Sequence, residues 1–313
     1  MARDRGPVRR VTPGRQAAGS IARVPAPAHA SAAGTFAIGG DMPVVRMGFG
    51  AMRLTGDGIW GEPDDPEGAR AVLRRAVELG VTLIDTADSY GPEVSERLIA
   101  EALHPYPDDL VIATKGGLER PRPGEWRRNG RPEALRAACE GSLERLRVER
   151  IDLYQLHAVD SRVPIEESVG TLAELQGEGK IRHVGVSNVD AEQLALARGL
   201  VEVVTVQNRF SLADRASDGS LAAARRAGLG FLPWSPLARG ALTRPGGPLD
   251  RIAEAHGATH GQVALAWLLQ HSDAMLPIPG TSSLEHLEEN VAAAGIRLTE
   301  DEMIEVDEQR RSH

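Results

Sequence analysis

Residues 81–98, VTLIDTADSYGPEVSERL, decide how the rest of this chain is read. Val81, Leu83 and Ile84 make a short apolar, β-favouring run that stops at Asp85. Gly91-Pro92 closes a polar turn, and Ser95-Glu96 opens a helical pattern. Asp85 and Tyr90 therefore stand just past the C-terminal end of a strand, the end at which α/β barrels carry their catalytic groups. Alone, the same spacing also fits an N-cap aspartate followed by an exposed loop tyrosine. The surrounding chain has to choose between the two.

Outward from this stretch, strand and helix alternate with a regular beat. Upstream, Asp65 caps a helix with Pro66 in its first turn, Ala69, Val72, Leu73, Ala76 and Val77 form its apolar face, and Gly80 stops it. Before that come a hairpin turning at Gly39-Gly40-Asp41 and a first core strand, 44–52. Downstream, strands are expected at 110–114, 151–156, 182–186, 203–206, 229–233 and 275–278. Helices are expected at 93–103, 132–146, 164–178, 191–198, 214–227, 259–271 and 284–294. Thr259 and Gln262 are spaced as a capping box. Eight short apolar strands alternating with amphipathic helices predict an α/β fold, a (β/α)8 barrel with an N-terminal β-hairpin.

Composition sets the outer limits. The chain has 313 residues, room for one such barrel, and a net charge of −8, which gives no support to a nucleic-acid partner. No run of about 18 apolar residues offers a membrane span. The single cysteine, Cys139, excludes an internal disulfide, suits a reducing, cytoplasmic setting, and reads as a core thiol. Residues 1–33 are rich in Arg, Ala and Pro. They are expected to be a disordered, removable extension, leaving 34–313 as the barrel domain. Arg9-Arg10 is followed by no apolar segment, so an export signal is rejected. The G-x-G-x-x-G at 56–61 runs into Glu62-Pro63-Asp64-Asp65-Pro66 where a dinucleotide fingerprint needs a helix. It reads as a rim loop.

Lys115 and His157 end the strands after the one that Asp85 ends. A barrel turns such positions into one cleft, with Tyr90 in the loop beside them. These residue types suit carbonyl reduction. Charge develops on the substrate oxygen as hydride reaches carbon, so a proton donor is needed. A phenol of pKa about 10 is a poor donor at neutral pH, and a nearby ammonium would lower that value. Asp85 would hold Lys115 charged, and His157 would orient the substrate oxygen.

From about 34 to 306 the chain resembles the aldo-keto reductases. IDTADSYG, the Lys ending ATK, the His ending YQLH, GVSN, WSPLARG and IPGTSSLEHLEEN occur in that family's order. The resemblance implies a catalytic tetrad of Asp85, Tyr90, Lys115 and His157, and NADP(H) as cofactor. It implies that Ser187, Asn188 and Gln207 hold the nicotinamide carboxamide, with Asp85 beside it, and that Gly50, Ala51 and Met52 pass close to the ribose. Trp234 would stack on the nicotinamide, and Ser235, Pro236, Leu237, Ala238, Arg239 and Gly240 would wrap the pyrophosphate. Gly280, Thr281, Ser282 and His286 would meet the 2′-phosphate end, and Glu289 and Asn290 the adenine. Many family members carry Lys or Arg where this chain has Gly280 and His286, so a modest NADPH preference is expected. Ser282 with Glu285 also fits a capping box, a full alternative for that serine. Trp60 and Trp126 lie in rim loops, where they would either wall the substrate pocket or pack a loop.

The expected partner is a small carbonyl compound, and pyridoxal, methylglyoxal, sugar-derived carbonyls and aromatic aldehydes all fit. No metal, nucleic acid or membrane is expected, and the sequence sets no oligomeric state. Two other classes compete: a non-catalytic, nucleotide-sensing regulatory subunit of the same fold, and a Schiff-base aldolase using Lys115.

Overall fold

In the computed structural model of the chain, residues 28–238 and 249–309 are described. A hairpin of β1 (Thr35–Ile38) and β2 (Met42–Val45) comes first. β3 (Phe49–Gly50), α1 (Pro66–Glu78), β4 (Leu83–Asp85), α2 (Val94–Leu103) and β5 (Val111–Gly116) follow. A small excursion, β6 (Leu118–Glu119) pairing with β7 (Arg127–Arg128), precedes α3 (Pro132–Leu146). The alternation resumes with β8 (Ile151–Leu156), α4 (Ile165–Gly177), β9 (Ile181–Ser187), α5 (Ala191–Arg198), β10 (Val203–Arg209), α6 (Asp218–Arg226) and β11 (Gly230–Trp234). Helices α7 (Asp250–His256), α8 (His260–His271), α9 (Leu284–Ala292) and α10 (Glu300–Gln309) complete the described chain.

Seven strands form one sheet in the order β11-β10-β9-β8-β5-β4-β3, with parallel neighbours throughout. The barrel closes between its outer members through residues 275–279. On one side Leu276 N donates to Phe231 O at 2.8 Å. On the other Gly48 N donates to Pro277 O at 2.9 Å. The expected eighth strand is thus in place but carries a single isolated bridge, Phe231 to Met275. Pro277 and Pro279 have no N–H to offer a ladder, so the segment can only accept on that side.

Two sequence expectations are corrected here. The run 44–52 is not one strand. Val44 and Val45 belong to the hairpin, only Phe49–Gly50 joins the sheet, and Ala51–Leu54 winds into a 3-10 turn. Residues before Gly34 also carry structure. Ala30–Ala33 forms a 3-10 turn with Ala30 and Ala33 buried, and Ala30 N donates to Leu79 O at 2.8 Å. Residues 1–27 of the expected extension lie outside the described residues.

The barrel interior is apolar at its N-terminal end. Ile38, Met42 and Val44 of the hairpin pack with Leu83, Val111, Ala113, Leu153, Leu232 and Ile278. Side chains alternate along a strand, so the residues two further on point the same way. Two beyond Leu83 is Asp85, two beyond Ala113 is Lys115, and two beyond Leu153 is Gln155. The periodicity that fills the core therefore also aims three polar side chains into the C-terminal mouth.

Several local predictions hold. Asp65 Oδ1 accepts from Gly68 N at 2.9 Å, and Thr259 with Gln262 makes a reciprocal capping box. The cap expected at Ser282 falls one residue later, without the reciprocal box. Ser283 is the N-cap of α9 and accepts from His286 N at 3.3 Å, while Thr281 Oγ1 takes Ser283 N at 3.0 Å. The phase is set by Leu287 and Val291, which must face the core. Cys139 is buried within α3, where burial pushes its thiol up to about 12.

Candidate active site

Asp85, Lys115, Tyr90 and His157 come together at the mouth of the barrel. Lys115 is wholly buried on β5, and its Nζ donates to Asp85 Oδ2 at 2.7 Å, to Thr86 O at 2.7 Å and to Tyr90 Oη at 3.4 Å. The ammonium also lies 5.1 Å from the centre of the Tyr90 ring. The Tyr90 and His157 rings meet edge to face, their centres 5.8 Å apart. The loop carrying Tyr90 is pinned from below by Thr86 Oγ1, which donates to Ser95 Oγ at 2.8 Å.

Burial and the ion pair set the charge states. Burial drives the Lys115 ammonium down, but Asp85 and Tyr90 outweigh it, and its pKa stands above the ordinary lysine value. Burial raises the Tyr90 phenol despite the opposing pull of Lys115. The downward shift anticipated for Tyr90 is therefore reversed, because desolvation of a phenolate outweighs one ammonium neighbour. Burial, then Lys115, holds His157 well below the usual imidazole range, so it is neutral. The site thus presents a protonated phenol, a fixed ammonium and a neutral imidazole to one point. That set can place a proton on an oxygen and stabilise the charge developing there.

The residues assigned to the nicotinamide end form a second, linked cluster. Asn188 Nδ2 donates to His157 O at 2.9 Å and to Ser187 Oγ at 3.0 Å, and Trp234 Nε1 donates to Asn188 Oδ1 at 3.1 Å. Gln207 Nε2 donates to Asp85 Oδ1 at 2.7 Å, which ties this cluster to the ion pair. Asn188, Ser235 and Ala238 have left-handed backbone, with φ of 57°, 57° and 49°. For residues other than glycine this costs energy and is typical of functional turns. Ser235 Oγ is buried with no hydrogen-bond partner. Pro236 is buried and Leu237 half-buried, while Arg239 and Gly240 lie outside the described residues.

Gly50 and Gly280 approach closely where the barrel closes. A Cβ on Gly280 would lie 2.5 Å from Gly50 O, and one on Gly50 would lie 2.7 Å from Ile278 O. Position 280 thus has no room for a side chain. Ala51 is buried beside Gly50 and Met52 is half-buried. Around α9, Thr281 and Asn290 are buried, Glu289 is half-buried, and Ser282 and His286 are exposed.

Trp60 and Trp126 are joined by a residue the sequence reading missed. The Arg120 guanidinium lies 3.8 Å from the Trp126 ring centre and 5.5 Å from that of Trp60. It donates to Ile59 O at 2.8 Å and Gly58 O at 3.2 Å, so both tryptophans help to pack rim loops. Ser89, whose Oγ lies 3.4 Å from His157 Nδ1, was also missed, as was Gln155, which donates to Asp85 at 3.4 Å. Both sit inside motifs already singled out, DSYG and YQLH. The strand alternation that selects Lys115 would also have selected Gln155.

Comparison with known proteins gives the family. A family profile, that of the Aldo/keto reductase family, matches residues 46–311. An uncharacterised oxidoreductase of Schizosaccharomyces pombe is 50% identical over 283 residues, covering 90% of this chain and 92% of the relative. The pyridoxine 4-dehydrogenase of Escherichia coli is 42% identical over 279 residues, covering 87% and 97%. Among solved structures, an aldo-keto reductase of Klebsiella pneumoniae in complex with NADPH superposes with a TM-score of 0.75 at 29% identity, covering 88% of this chain and 94% of that one.

Proposed function

The chain belongs to the aldo/keto reductase family, and from that premise we propose that it reduces aldehyde or ketone carbonyls to alcohols with NADPH, Tyr90 giving the proton. The observation that carries the reading is the Lys115 ammonium held 2.7 Å from Asp85 and 3.4 Å from the Tyr90 hydroxyl. Several features fit the cofactor. Ser235 Oγ is a buried hydroxyl lacking a partner, at a left-handed turn where a phosphate can accept from it. Asn188 and Ser187 supply an amide and a hydroxyl beside the Trp234 indole, the groups proposed to hold the nicotinamide. The NADPH complex of the Klebsiella relative supports the same choice.

NADPH, when bound, supplies the hydride. The remaining work falls to this chain's own residues. Tyr90 donates its proton to the carbonyl oxygen as negative charge builds there. Lys115 lies against the phenol and stabilises the phenolate left behind. Asp85 keeps Lys115 charged and in place, and is itself fixed by Gln207 and Gln155. His157 is neutral, so it can donate one hydrogen bond to the substrate oxygen without competing as a proton source. An aldolase needs a neutral lysine amine, and the raised pKa of Lys115 opposes that. One buried cysteine fits a cytoplasmic setting for this activity.

A panel of carbonyls assayed for NADPH consumption tests the reading, with Tyr90→Phe as the control. The variant should bind NADPH nearly as the parent does and lose kcat by on the order of 10²-fold or more. Near-normal turnover by Tyr90→Phe would reject the assigned donor.

A further inference from the structure

The rim segment 118–131, LERPRPGEWRRNGR, holds five arginines against two glutamates, in a chain whose net charge is −8. It follows the catalytic strand β5 and folds as the β6–β7 excursion. Beside it lies a cavity of about 290 Å³, lined by Arg127, Arg128, Arg131 and Arg162 with only Glu119 and Asp160 as carboxylates. Each of those acids is already engaged. Glu119 Oε2 accepts from Arg127 Nε at 2.9 Å, and Asp160 Oδ1 and Oδ2 accept from Arg162 Nε and Nη2, both at 2.9 Å. Arg131 Nε reaches Glu133 at 3.2 Å, outside the lining. Arg128 has no carboxylate within ion-pair distance among the described residues. The cavity therefore keeps an excess of guanidinium donors, two of them held in fixed orientation by their acids. Planar guanidinium forks match phosphate and carboxylate groups.

The cavity adjoins the segments that follow Lys115 and His157, while none of the four tetrad residues lines it. Asn129 in its wall donates from its backbone N to Gly117 O at 3.0 Å, two residues past Lys115. Asp160 comes three residues after His157, a span of at most about 11 Å of chain. A volume of 290 Å³ exceeds a bare phosphate and leaves room for part of a carbon skeleton.

We propose that this cavity holds the anionic group, phosphate or carboxylate, of a carbonyl substrate whose carbonyl lies at Tyr90. The proposal rests on the carbonyl-reduction reading and adds a substrate class to it. The test compares matched substrates, 6-oxohexanoate and hexanal, on the full chain with NADPH. The anionic aldehyde should be favoured about tenfold in kcat/KM, through KM, with the advantage shrinking as salt is added. In Arg128→Ala the ratio should fall to near one, and Arg128→Lys should keep part of it. A ratio near one in the parent, or one that survives Arg128→Ala, overturns the proposal. If neither aldehyde is reduced, the cavity is decided on its own, and only failure of the whole carbonyl panel rejects the carbonyl reading. Inorganic phosphate titrated calorimetrically against the NADP⁺-saturated chain then decides the cavity alone. Saturating NADP⁺ covers the cofactor's own phosphate positions. Binding heat that disappears in Arg128→Ala upholds an anion site filled by free phosphate, and no binding overturns it.

Discussion

Each end of the barrel holds a cation, wholly buried at the mouth and half-buried at the other end, and each is met differently. At the C-terminal mouth, Lys115 faces a carboxylate, Asp85, and a phenol. At the N-terminal end, the hydrogen bonds of the Arg46 side chain all go to backbone carbonyls. Its Nη2 donates to Leu269 O and Ser272 O, both at 2.6 Å, its Nε to Met275 O at 3.2 Å and its Nη1 to Ala33 O at 3.4 Å. Those acceptors lie on the end of α8, the segment closing the barrel and the 3-10 turn before β1. Burial lowers the pKa of Arg46 against the weaker pull of the Asp273 carboxylate, and no carboxylate lies within ion-pair distance of it among the described residues. One cation bears on the phenol that we propose as the proton donor. The other stitches together backbone that would otherwise keep unsatisfied carbonyls. The difference lies in what each cation touches: a phenol in hydrogen-bond reach at one end, backbone carbonyls at the other.

Substituting each cation should separate these roles. Lys115→Met should do the most damage, lowering kcat by about 10²- to 10⁴-fold. It should also cost roughly 3–5 kcal/mol of stability, because Asp85 is left as an unpaired buried carboxylate. The double variant Lys115→Met/Asp85→Leu should regain most of the stability and none of the activity. A denaturant melt beside a kinetic assay reads both, and recovery of activity in the double variant would contradict the catalytic role.

Arg46→Met should show the reverse pattern. Its carbonyl acceptors lose their donor, and stability should fall by about 2–3 kcal/mol with kcat nearly unchanged. A large loss of kcat without a change in the melt would break the comparison. The N-terminal turn belongs to the same clamp, since Arg297 Nη2 donates to Ala32 O at 2.7 Å. Removing residues 1–33 should therefore cost about 1–2 kcal/mol, whereas removing residues 1–27 should be neutral. Equal melting of the two truncations would show that the turn contributes nothing.

An effect of similar size concerns pH. His157 has a folded pKa well below the ordinary imidazole value, through burial and then Lys115. The unfolded chain thus takes up a proton at His157 at a pH where the folded chain does not. Stability is full above about pH 6.5 and falls as pH drops toward the depressed folded value. In His157→Gln, the decline between about pH 6.5 and 5 should be shallower by up to about 2 kcal/mol. An unchanged slope would remove His157 from the account.

Much of the mouth was legible because strand ends expose it. Asp85, Lys115 and His157 each terminate an apolar run, and alternation fixes which way they point. The clamp at the other end was not legible. Arg46 lies between two glycine-rich turns and binds backbone carbonyls more than two hundred residues away in sequence, which no local pattern encodes. The same limit hid Arg120, whose partners are carbonyls and ring faces of loops. The closing segment was placed correctly at 275–278, but Pro277 and Pro279, which accept hydrogen bonds and cannot donate them, leave it a single bridge where a ladder was expected. The cap of α9 slipped by one residue for a different reason. TSS offers three hydroxyls in a row, and only the packing of Leu287 and Val291 selects Ser283.

Isotope transfer tests the central claim most directly. NADPH carrying deuterium at the transferable position of its nicotinamide is incubated with the chain and an aldehyde that it consumes, and the alcohol is weighed by mass spectrometry. The account predicts an alcohol heavier by one deuterium at the former carbonyl carbon, formed by the parent chain and nearly absent with Tyr90→Phe. An unlabelled alcohol, or no alcohol from any carbonyl in the panel, would contradict it.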